Sequence, residues 1–362
     1  MMDEKTAIWV LAGLNGLGPA GVKRIIEYFG SAARVFDTGR GQLVDSNLFT
    51  KSMIGQLNEK RDWEAIRNLL EKSTPSGAGF VSISEPEYPE KLKNIHDPPP
   101  FLYFKGSLDV FDGPSLAIVG SRRPTDYGRR IASRLAGELA STGVLIVSGL
   151  AFGIDAIAHQ AALEAGGKTA AIFGCGLDYI YPRAHSTLAS RIIESGSLLS
   201  EFPKGTRPER FNFPVRNRII SGLTDGVLVV EAAEKSGALV TANLALEQGR
   251  DVLAIPGNVE SKFSYGPNDL IKQGAVPVTS VEDIMANFGW HKSEVFSRPD
   301  RDLSMLTANE RTLFGYISVQ PVHVDELGRK SGLSPAKTSE LLLNLELKGF
   351  IMRKPGNYVV KA

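Results

Sequence analysis

The sequence predicts an α/β protein with an extended Rossmann-like parallel sheet, flanked by an N-terminal helical domain and a C-terminal winged-helix domain. Two observations support this prediction. Short continuous apolar runs alternate with helical stretches between residues 77 and 289, which is typical of strands covered on both faces. The length of 362 residues is enough for two or three domains, each with its own core.

The first 76 residues are predicted to form a helical domain of the SAM-like or helix-hairpin-helix type. Apolar residues recur at helical spacing in 8–14, 22–29 and 63–70. The glycine-rich stretch LNGLGPAG separates the first two helices. Such a hairpin can donate backbone N–H groups to a DNA phosphate. The same glycines suit the tight turns of a helical bundle, so both interpretations stay open.

The central domain, predicted over residues 77–289, directs attention to the loops after its strands. Ligands of such sheets bind beyond the carboxyl ends of the strands. Glycine and serine in three of these loops suit backbone N–H donation to phosphate at helix N-termini. The first loop, GSRRP, lacks the G-x-G-x-x-G spacing of a dinucleotide site. It has two arginines instead, and Arg122 is expected to reach a polymer backbone.

A basic and aromatic segment precedes the predicted strand in DGVLVVEA. Between residues 204 and 218 it has five cationic side chains and one acidic one, Lys204, Arg207, Arg210, Arg216 and Arg218 against Glu209. Phenylalanines stand at positions 202, 211 and 213. Cations neutralise a nucleic-acid backbone and rings stack on unpaired bases. The segment therefore favours a single-stranded polymer over a small nucleotide.

A linker is predicted over residues 290–302 and a winged helix over residues 303–362. The helical stretch 336–348 stands where a DNA-recognition helix would be. Its Lys337 and Lys348 are offset by Glu340 and Glu346, and phosphate contacts need local positive charge. A protein-contact or structural role is therefore favoured over DNA reading.

Composition restricts the class of protein further. The net charge is +1, so any nucleic-acid surface has to be local. The single cysteine, Cys175, excludes an internal disulfide and is expected to be a packed residue. Five scattered histidines make a structural metal unexpected, and no apolar run reaches the length of a membrane span. We expect a cytoplasmic protein without a metal site or membrane segment.

Catalytic groups are sparse. Asp155, Glu201 and Glu231 lie near predicted strand ends, without a D-x-D or H-x-x-E pattern beside them. His159 stands four residues after Asp155, on the same helical face. A structural hydrogen bond between these two is favoured over an acid–base couple.

Several segments together resemble one known family. They are AIVGSRRPTDYG, IVSGLAFGIDAIAHQAAL, FGCGLDYIYPRAH, LLSEFPKGTRP, FPVRNRIISGL and EAAEKSGALVTANLALEQGRDVLAIPG. In order, they are similar to the DNA-processing protein A family, also called DprA or Smf. The resemblance implies a protein that binds and protects single-stranded DNA during natural transformation and helps to load the RecA recombinase on it. It also implies a homodimer through the Rossmann-like domain, no cofactor and no enzymatic activity.

The resemblance also implies the residues of a DNA pocket. They come from the G-S-R loop, the S-G segment, the basic segment around R-N-R and the K-S-G turn: Gly120, Ser121, Arg122, Ser148, Gly149, Arg210, Phe213, Asn217, Arg218, Lys235, Ser236 and Gly237.

Two enzyme classes are the alternatives. Nucleoside-monophosphate phosphoribohydrolases have a related sheet, but their P-G-G-x-G-T-x-x-E signature is absent where this chain reads EAAEKSGALVTA. A dinucleotide-dependent oxidoreductase would need the missing glycine fingerprint and an acid about twenty residues later. The binding protein remains the leading prediction.

Overall fold

The computed structural model describes residues 2–59, 63–290, 306–317, 322–348, 350–354 and 356–361. The described residues form two compact units, one up to residue 290 and one from residue 306 onward. Of the predicted linker, residues 291–302 lie outside the described residues, as do the first three residues of the predicted winged-helix domain.

The first unit begins with a bundle of short helices. They are α1 (Glu4–Ala12), α2 (Pro19–Phe29), α3 (Ala32–Asp37), α4 (Arg40–Asp45), α5 (Lys51–Glu59) and α6 (Trp63–Ser73). The Asp3 side chain accepts from the Thr6 N–H and so starts α1, and Gly30, in the left-handed conformation, ends α2. Ile8, Leu11 and Ile25 are fully buried at the centre of the helical bundle.

This helical bundle packs directly against the sheet domain. Ile83 and Phe101 of the α/β region pack against the bundle core. The Lys23 ammonium donates to the carbonyls of Lys93 and Ile95 at 3.1 and 3.2 Å. The described part of residues 1–76 thus belongs to one compact unit with the sheet, and the predicted domain boundary at residue 76 remains a prediction.

Nine strands of the described chain form one sheet. They are β1 (Gly79–Ser82), β2 (Phe101–Gly106), β3 (Ser115–Val119), β4 (Leu145–Ser148), β5 (Thr169–Phe173), β6 (Ser197–Ser200), β7 (Gly226–Val229), β8 (Asp251–Ala254) and β9 (Val276–Pro277). The order is β1-β2-β6-β5-β4-β3-β7-β8-β9. The seven strands from β3 onward pair in parallel, and β1 and β2 add an antiparallel extension. The predicted extended Rossmann-like sheet is confirmed.

Helices cover both faces of this sheet. They are α7 (Glu90–Lys93), α8 (Asp126–Ser141), α9 (Ile154–Glu164), α10 (Ser186–Ser195), α11 (Asn212–Gly222), α12 (Gly237–Glu247), α13 (Tyr265–Lys272) and α14 (Val281–Phe288). Leu116 and Ile118 of β3 pack into a core with α8, α9 and α14. Ala117 and Val119 pack into the opposite core, with α11, α12 and α13. Burial of both faces explains the continuous apolar runs of the sequence.

The connection order reverses between β3 and β7. From β3 the chain adds β4, β5 and β6 on one side, and then returns to place β7 on the other side of β3. In open α/β sheets a crevice forms at such a switch point, beyond the carboxyl ends of the strands. The segments that follow β3 and β7 are therefore the walls of the expected site.

The second unit is a small helical domain with a three-stranded sheet. Its elements are α15 (Ala308–Gly315), β10 (Val322–His323), α16 (Val324–Ser331), α17 (Pro335–Leu347), β11 (Ile351–Lys354) and β12 (Tyr358–Lys361). The strands pair antiparallel in the order β10-β12-β11. Leu313, Leu327, Leu342 and Val359 are fully buried. This arrangement is that of a winged helix, as predicted.

The described ranges contain no helix with the length and apolar character needed to span a bilayer.

Candidate nucleic-acid interface

A cleft of about 670 Å³ lies at the switch point between β3 and β7. Its walls are the loop after β3, the first turns of α11 and the first turns of α12. The structure brings together in this lining most of the predicted site residues, namely Gly120, Arg122, Arg210, Phe213, Asn217, Lys235, Ser236 and Gly237. Sequence segments more than 100 residues apart thus meet at one sheet edge.

Cationic side chains dominate the cleft. Arg122, Arg210 and Lys235 line it and are exposed, each from a different wall. A fourth cation, Arg216, is buried in the floor, and Asp155 is the one acidic side chain that the described part of the chain contributes to the lining. The cleft therefore carries a local positive charge, although the net charge of the whole chain is only +1.

Aromatic rings form one side of the cleft. The Phe213 ring is half-buried against Gly174, where a Cβ atom would lie 2.9 Å from it. Its centroid is 5.6 Å from that of Tyr181, a side chain that is 49% exposed. Phe211 is 66% exposed immediately before α11. Tyr181 and Phe213 together offer a stacking surface beside the cations.

The floor of the cleft is fixed by the buried Arg216. Its Nη1 donates to the carbonyls of Gly149 and Ile172, and its Nε donates to the Asn217 side-chain oxygen at 3.3 Å. Burial lowers the pKa of Arg216 to about 10, while Asp155 opposes this shift and Arg122 adds to it. Arg122 and Arg216 thus repel each other, and an anion between them would relieve the repulsion.

Asp155 provides the negative charge that partly compensates the positive charge of the buried Arg216. Its Oδ2 accepts from the N–H groups of Gly149 at 3.1 Å and Ala151 at 3.3 Å. Burial raises the pKa of Asp155, and Arg216 opposes that shift. The carboxylate thus holds the loop after β4 in place.

Several N–H groups at the helix N-termini of this edge are bonded within the protein. The Thr125 N–H and hydroxyl at the start of α8 both donate to Glu231. At the start of α9 the Ile154 N–H donates to the Ser121 carbonyl at 3.1 Å, and Gly153 has a φ of 80° that brings the two segments close. The Gly149 N–H is bonded to Asp155, so the expectation that this N–H binds phosphate is corrected, whereas donation by the Gly120 loop remains a prediction. The first turn of α9, at Asp155, and the start of α12, at Ser236 and Gly237, both contribute to the lining of the cleft.

Three predicted site residues, Ser121, Ser148 and Gly149, lie outside the lining of the cleft. Ser148 is fully buried, and its hydroxyl donates to the Ile118 carbonyl at 2.7 Å. Gly149 is buried and its carbonyl accepts from Arg216. The Ser121 hydroxyl accepts from the Arg123 N–H at 3.1 Å. The hydroxyl of Ser148 and the N–H and carbonyl of Gly149 are thus already bonded within the protein, whereas Ser121 is partly exposed.

Arg218 lies away from the cleft, and its predicted place there is corrected. It is 5% exposed, its Nε donates to Asp97 at 3.0 Å, and its Nη2 donates to Glu201 at 2.6 Å. It lines a separate hollow of about 320 Å³ on the other side of α11. Two residues of helix correspond to roughly 200° of rotation, so Arg216 and Arg218 face opposite ways.

The expected Asp155–His159 hydrogen bond is also absent among the described contacts of these residues. Thr169 donates its hydroxyl proton to the Ile146 carbonyl at 2.6 Å, so it accepts from His159 Nδ1, also at 2.6 Å. Burial lowers the pKa of His159 to about 3. Asp155 points instead to the loop after β4, so no acid–base couple forms here.

Cys175 lies behind the cleft, just beyond β5. It is 1% exposed, and its thiol donates to the Tyr179 carbonyl at 3.4 Å. Burial raises the pKa of this thiol to about 11. It is the packed residue that the sequence predicts.

Sequence reasoning missed part of the wall that α12 forms. Val240 and Thr241 line the cleft from the second turn of α12. They follow Gly237 by three and four residues, which places them on the same helical face. That spacing was the signal available in the sequence.

Comparison with known proteins decides the family. The sequence profile of the DNA recombination-mediator protein A family matches residues 79–289, more than half of the chain. The chain belongs to this family. The profile of the DprA winged helix domain matches residues 297–357, and the resemblance found in the sequence is confirmed.

Relatives of this family member match over most of their length. Protein Smf of Escherichia coli is 45% identical over 280 residues, which are 75% of this chain and 74% of the relative. DNA processing protein DprA of Bacillus subtilis is 46% identical over 209 residues, covering 58% of this chain and 70% of the relative.

Two solved structures resemble the fold. DNA processing protein A from Streptococcus pneumoniae is 36% identical, with a TM-score of 0.70 over 80% of this chain and all of that chain. DNA processing protein A from Helicobacter pylori, whose structure was described for its single-stranded DNA binding mode, is 32% identical. Its TM-score is 0.53 over 58% of this chain and 95% of that chain.

Proposed function

We propose that this family member binds single-stranded DNA in the cleft between β3 and β7. The observation that supports it most is that exposed cations line the cleft on three walls, with exposed or half-buried aromatic rings beside them. Cations attract phosphates of any sequence, and rings stack on bases that are free of a duplex. A double helix would keep its bases away from the rings.

Each part of the cleft has a role in this proposal. Arg122, Arg210 and Lys235 contact backbone phosphates, together with the open start of α12 at Ser236 and Gly237. Tyr181 and Phe213 stack on bases. The buried pair of Arg216 and Asp155 keeps the floor rigid, because both side chains hydrogen-bond to the strand-end loops. The DNA-binding mode of the Helicobacter pylori relative supports the choice of ligand.

The wider role follows from family membership. The relatives are named as DNA processing proteins, and we propose that this chain protects single-stranded DNA in the cytoplasm and helps to load the RecA recombinase on it during natural transformation. We also propose that it acts as a homodimer through the sheet domain. Both proposals rest on the family resemblance.

The winged helix is proposed to contact protein. Three of its described cations are paired on its own surface, Lys337 with Glu340 at 2.8 Å, Lys348 with Glu310 at 2.8 Å and Arg353 with Glu346 at 3.1 Å. DNA binding would require these pairs to be broken, at a cost to the phosphate contacts.

A binding role is favoured over an enzymatic one by the use of the acidic residues. Asp155 holds backbone N–H groups, Glu201 is paired with Arg218, and Glu231 is bonded to Thr125. Hydrolysis of a nucleoside monophosphate needs a carboxylate free to exchange a proton with substrate. We therefore propose no cofactor, no metal and no phosphoribohydrolase activity.

Fluorescence anisotropy with labelled oligonucleotides tests the function. The full chain is titrated into single-stranded and duplex DNA of equal length at two salt concentrations. The release of base from AMP is measured in a separate assay. We expect tight single-strand binding that weakens steeply with salt, weaker duplex binding and no base release. Equal binding of both forms would refute the stacking role, and AMP cleavage that is lost in Arg122→Ala would favour the enzyme.

A further inference from the structure

Glu231 is an acidic residue buried beside the cleft but absent from its lining. It lies two residues after β7 and is 3% exposed. The Thr125 N–H donates to Oε2 at 2.9 Å, and the Thr125 hydroxyl donates to Oε1 at 2.5 Å. Both carboxylate oxygens are thus bonded to one residue from the neighbouring wall.

The carboxylate of Glu231 lies on the first turn of α8. A Cβ atom at Gly128 would be 2.4 Å from Glu231 Cδ, so only glycine admits the acid at this point. Thr125 also caps α8, because its hydroxyl oxygen accepts from the Gly128 N–H at 3.2 Å. A helix N-terminus favours negative charge. Here that charge is internal and stands where nucleotide-binding sheets hold a phosphate.

The loop between β3 and α8 is anchored at both ends. At its start the Ser121 carbonyl accepts from the Ile154 N–H. At its end Thr125 is bonded to Glu231. Between the anchors, Arg122 and Arg123 are exposed. The direction of Arg122 therefore depends on the second anchor as well as on the first.

We propose that Glu231 is a positioning residue for DNA binding, an internal anion that substitutes for a bound phosphate and fixes the Arg122 loop. This inference rests on the proposed contact between Arg122 and DNA. It also explains how a sheet with nucleotide-binding topology presents the exposed side chains of Arg122 and Arg123 on this wall.

Three variants of the full chain distinguish the effect of the Glu231 hydrogen bonds from the effect of its negative charge. Glu231→Ala removes the anchor, Glu231→Gln keeps an oxygen that accepts from Thr125, and Glu234→Ala makes the same charge change at an exposed position of the same loop. Removing a negative charge near the cleft should by itself strengthen DNA binding. We expect Glu231→Ala to weaken single-strand affinity about tenfold, equivalent to one charge-assisted hydrogen bond. Glu231→Gln should keep most of the affinity, and Glu234→Ala should lose none.

Chemical rescue is the measurement that distinguishes a positioning role from a merely structural role, because a merely structural role would not respond to the added anion. Formate, compared with chloride at equal ionic strength, is expected to fill the vacated position in Glu231→Ala and restore DNA affinity, with no effect on the wild type. Formate should also raise the melting temperature of this variant selectively. Wild-type affinity in Glu231→Ala, or a loss that formate leaves unchanged, would overturn the proposal.

Two further variants keep the outcome interpretable. If Glu231→Ala does not fold, Thr125→Val removes the hydroxyl donor while Glu231 remains, and unchanged DNA affinity in that variant would overturn the proposal. If Arg122→Gln binds DNA as the wild type does, the proposed Arg122 contact fails. The formate-dependent melting shift of Glu231→Ala then still shows whether an anion site exists on α8.

Discussion

Removing one exposed cation from the cleft should change the salt dependence of DNA binding by a defined amount. Arg122, Arg210 and Lys235 are the exposed cations of the lining. Each phosphate neutralised on a single strand contributes about −0.7 to the slope of log K against log salt, so the three together give about −2.1. Raising the salt from about 50 to about 200 mM then weakens binding about 18-fold through these contacts alone. In Arg122→Gln the corresponding slope is about −1.4 and the loss about 7-fold.

The assay is fluorescence anisotropy with a labelled oligothymidine at four or more salt concentrations. Lys168→Gln is the matched control, because Lys168 is exposed just before β5, at the opposite edge of the sheet. It makes the same charge change and should leave the slope unaltered. If Arg122→Gln keeps the wild-type slope, or if Lys168→Gln lowers the slope as much, the assignment of phosphate contacts to the cleft is refuted.

Three further predictions follow from contacts inside the first unit. Tyr181→Ala should cost about 1–3 kcal/mol of single-strand binding free energy, the value of one stacked base, and an unchanged dissociation constant in titration would contradict the stacking role. Arg216→Met should lower the free energy of unfolding by about 3–5 kcal/mol, because it leaves Asp155 buried without its counter-charge; urea denaturation measures this, and adding Asp155→Asn should recover part of the loss. His159 is neutral in the fold, with a pKa of about 3 against 6.5 in the unfolded chain, so the unfolded state binds more protons below pH 6.5 and stability falls as the pH falls toward 3. Between pH 7 and pH 5 this group should cost about 2 kcal/mol, a loss that His159→Gln should not show when its unfolding free energy is compared at the two pH values.

The sheet was predictable because its signal is local. Each strand of the parallel region is buried on both faces, so its residues form a continuous apolar run that can be read without knowledge of its neighbours. The winged helix was also predictable from local residues. Gly332 in the left-handed conformation, for example, ends α16 at the turn SGLSP. The packing of the N-terminal helices against the sheet depends on long-range contacts such as that of Lys23 with Lys93, and local patterns do not encode them.

The site was predictable in its location more than in its details. Topology alone places the loops after β3 and β7 side by side, and Arg122 was predicted in this way, whereas Lys235 was implied by the family resemblance. The directions of Arg216 and Arg218 depend on the rotation of α11 and on acidic partners distant in the sequence. The role of Glu231 was hidden for the same reason, because Thr125 and Gly128 are more than 100 residues away from it.

The state of Cys175 has a practical consequence for labelling the protein with a fluorescent dye. It is the single cysteine in the chain, and burial together with a pKa of about 11 keeps its thiol protonated and unreactive near neutral pH. A cysteine introduced on the surface, for example at the exposed Ser190, can therefore be coupled to a maleimide dye without first replacing the native one. The wild-type background is thus already suited to single-molecule fluorescence.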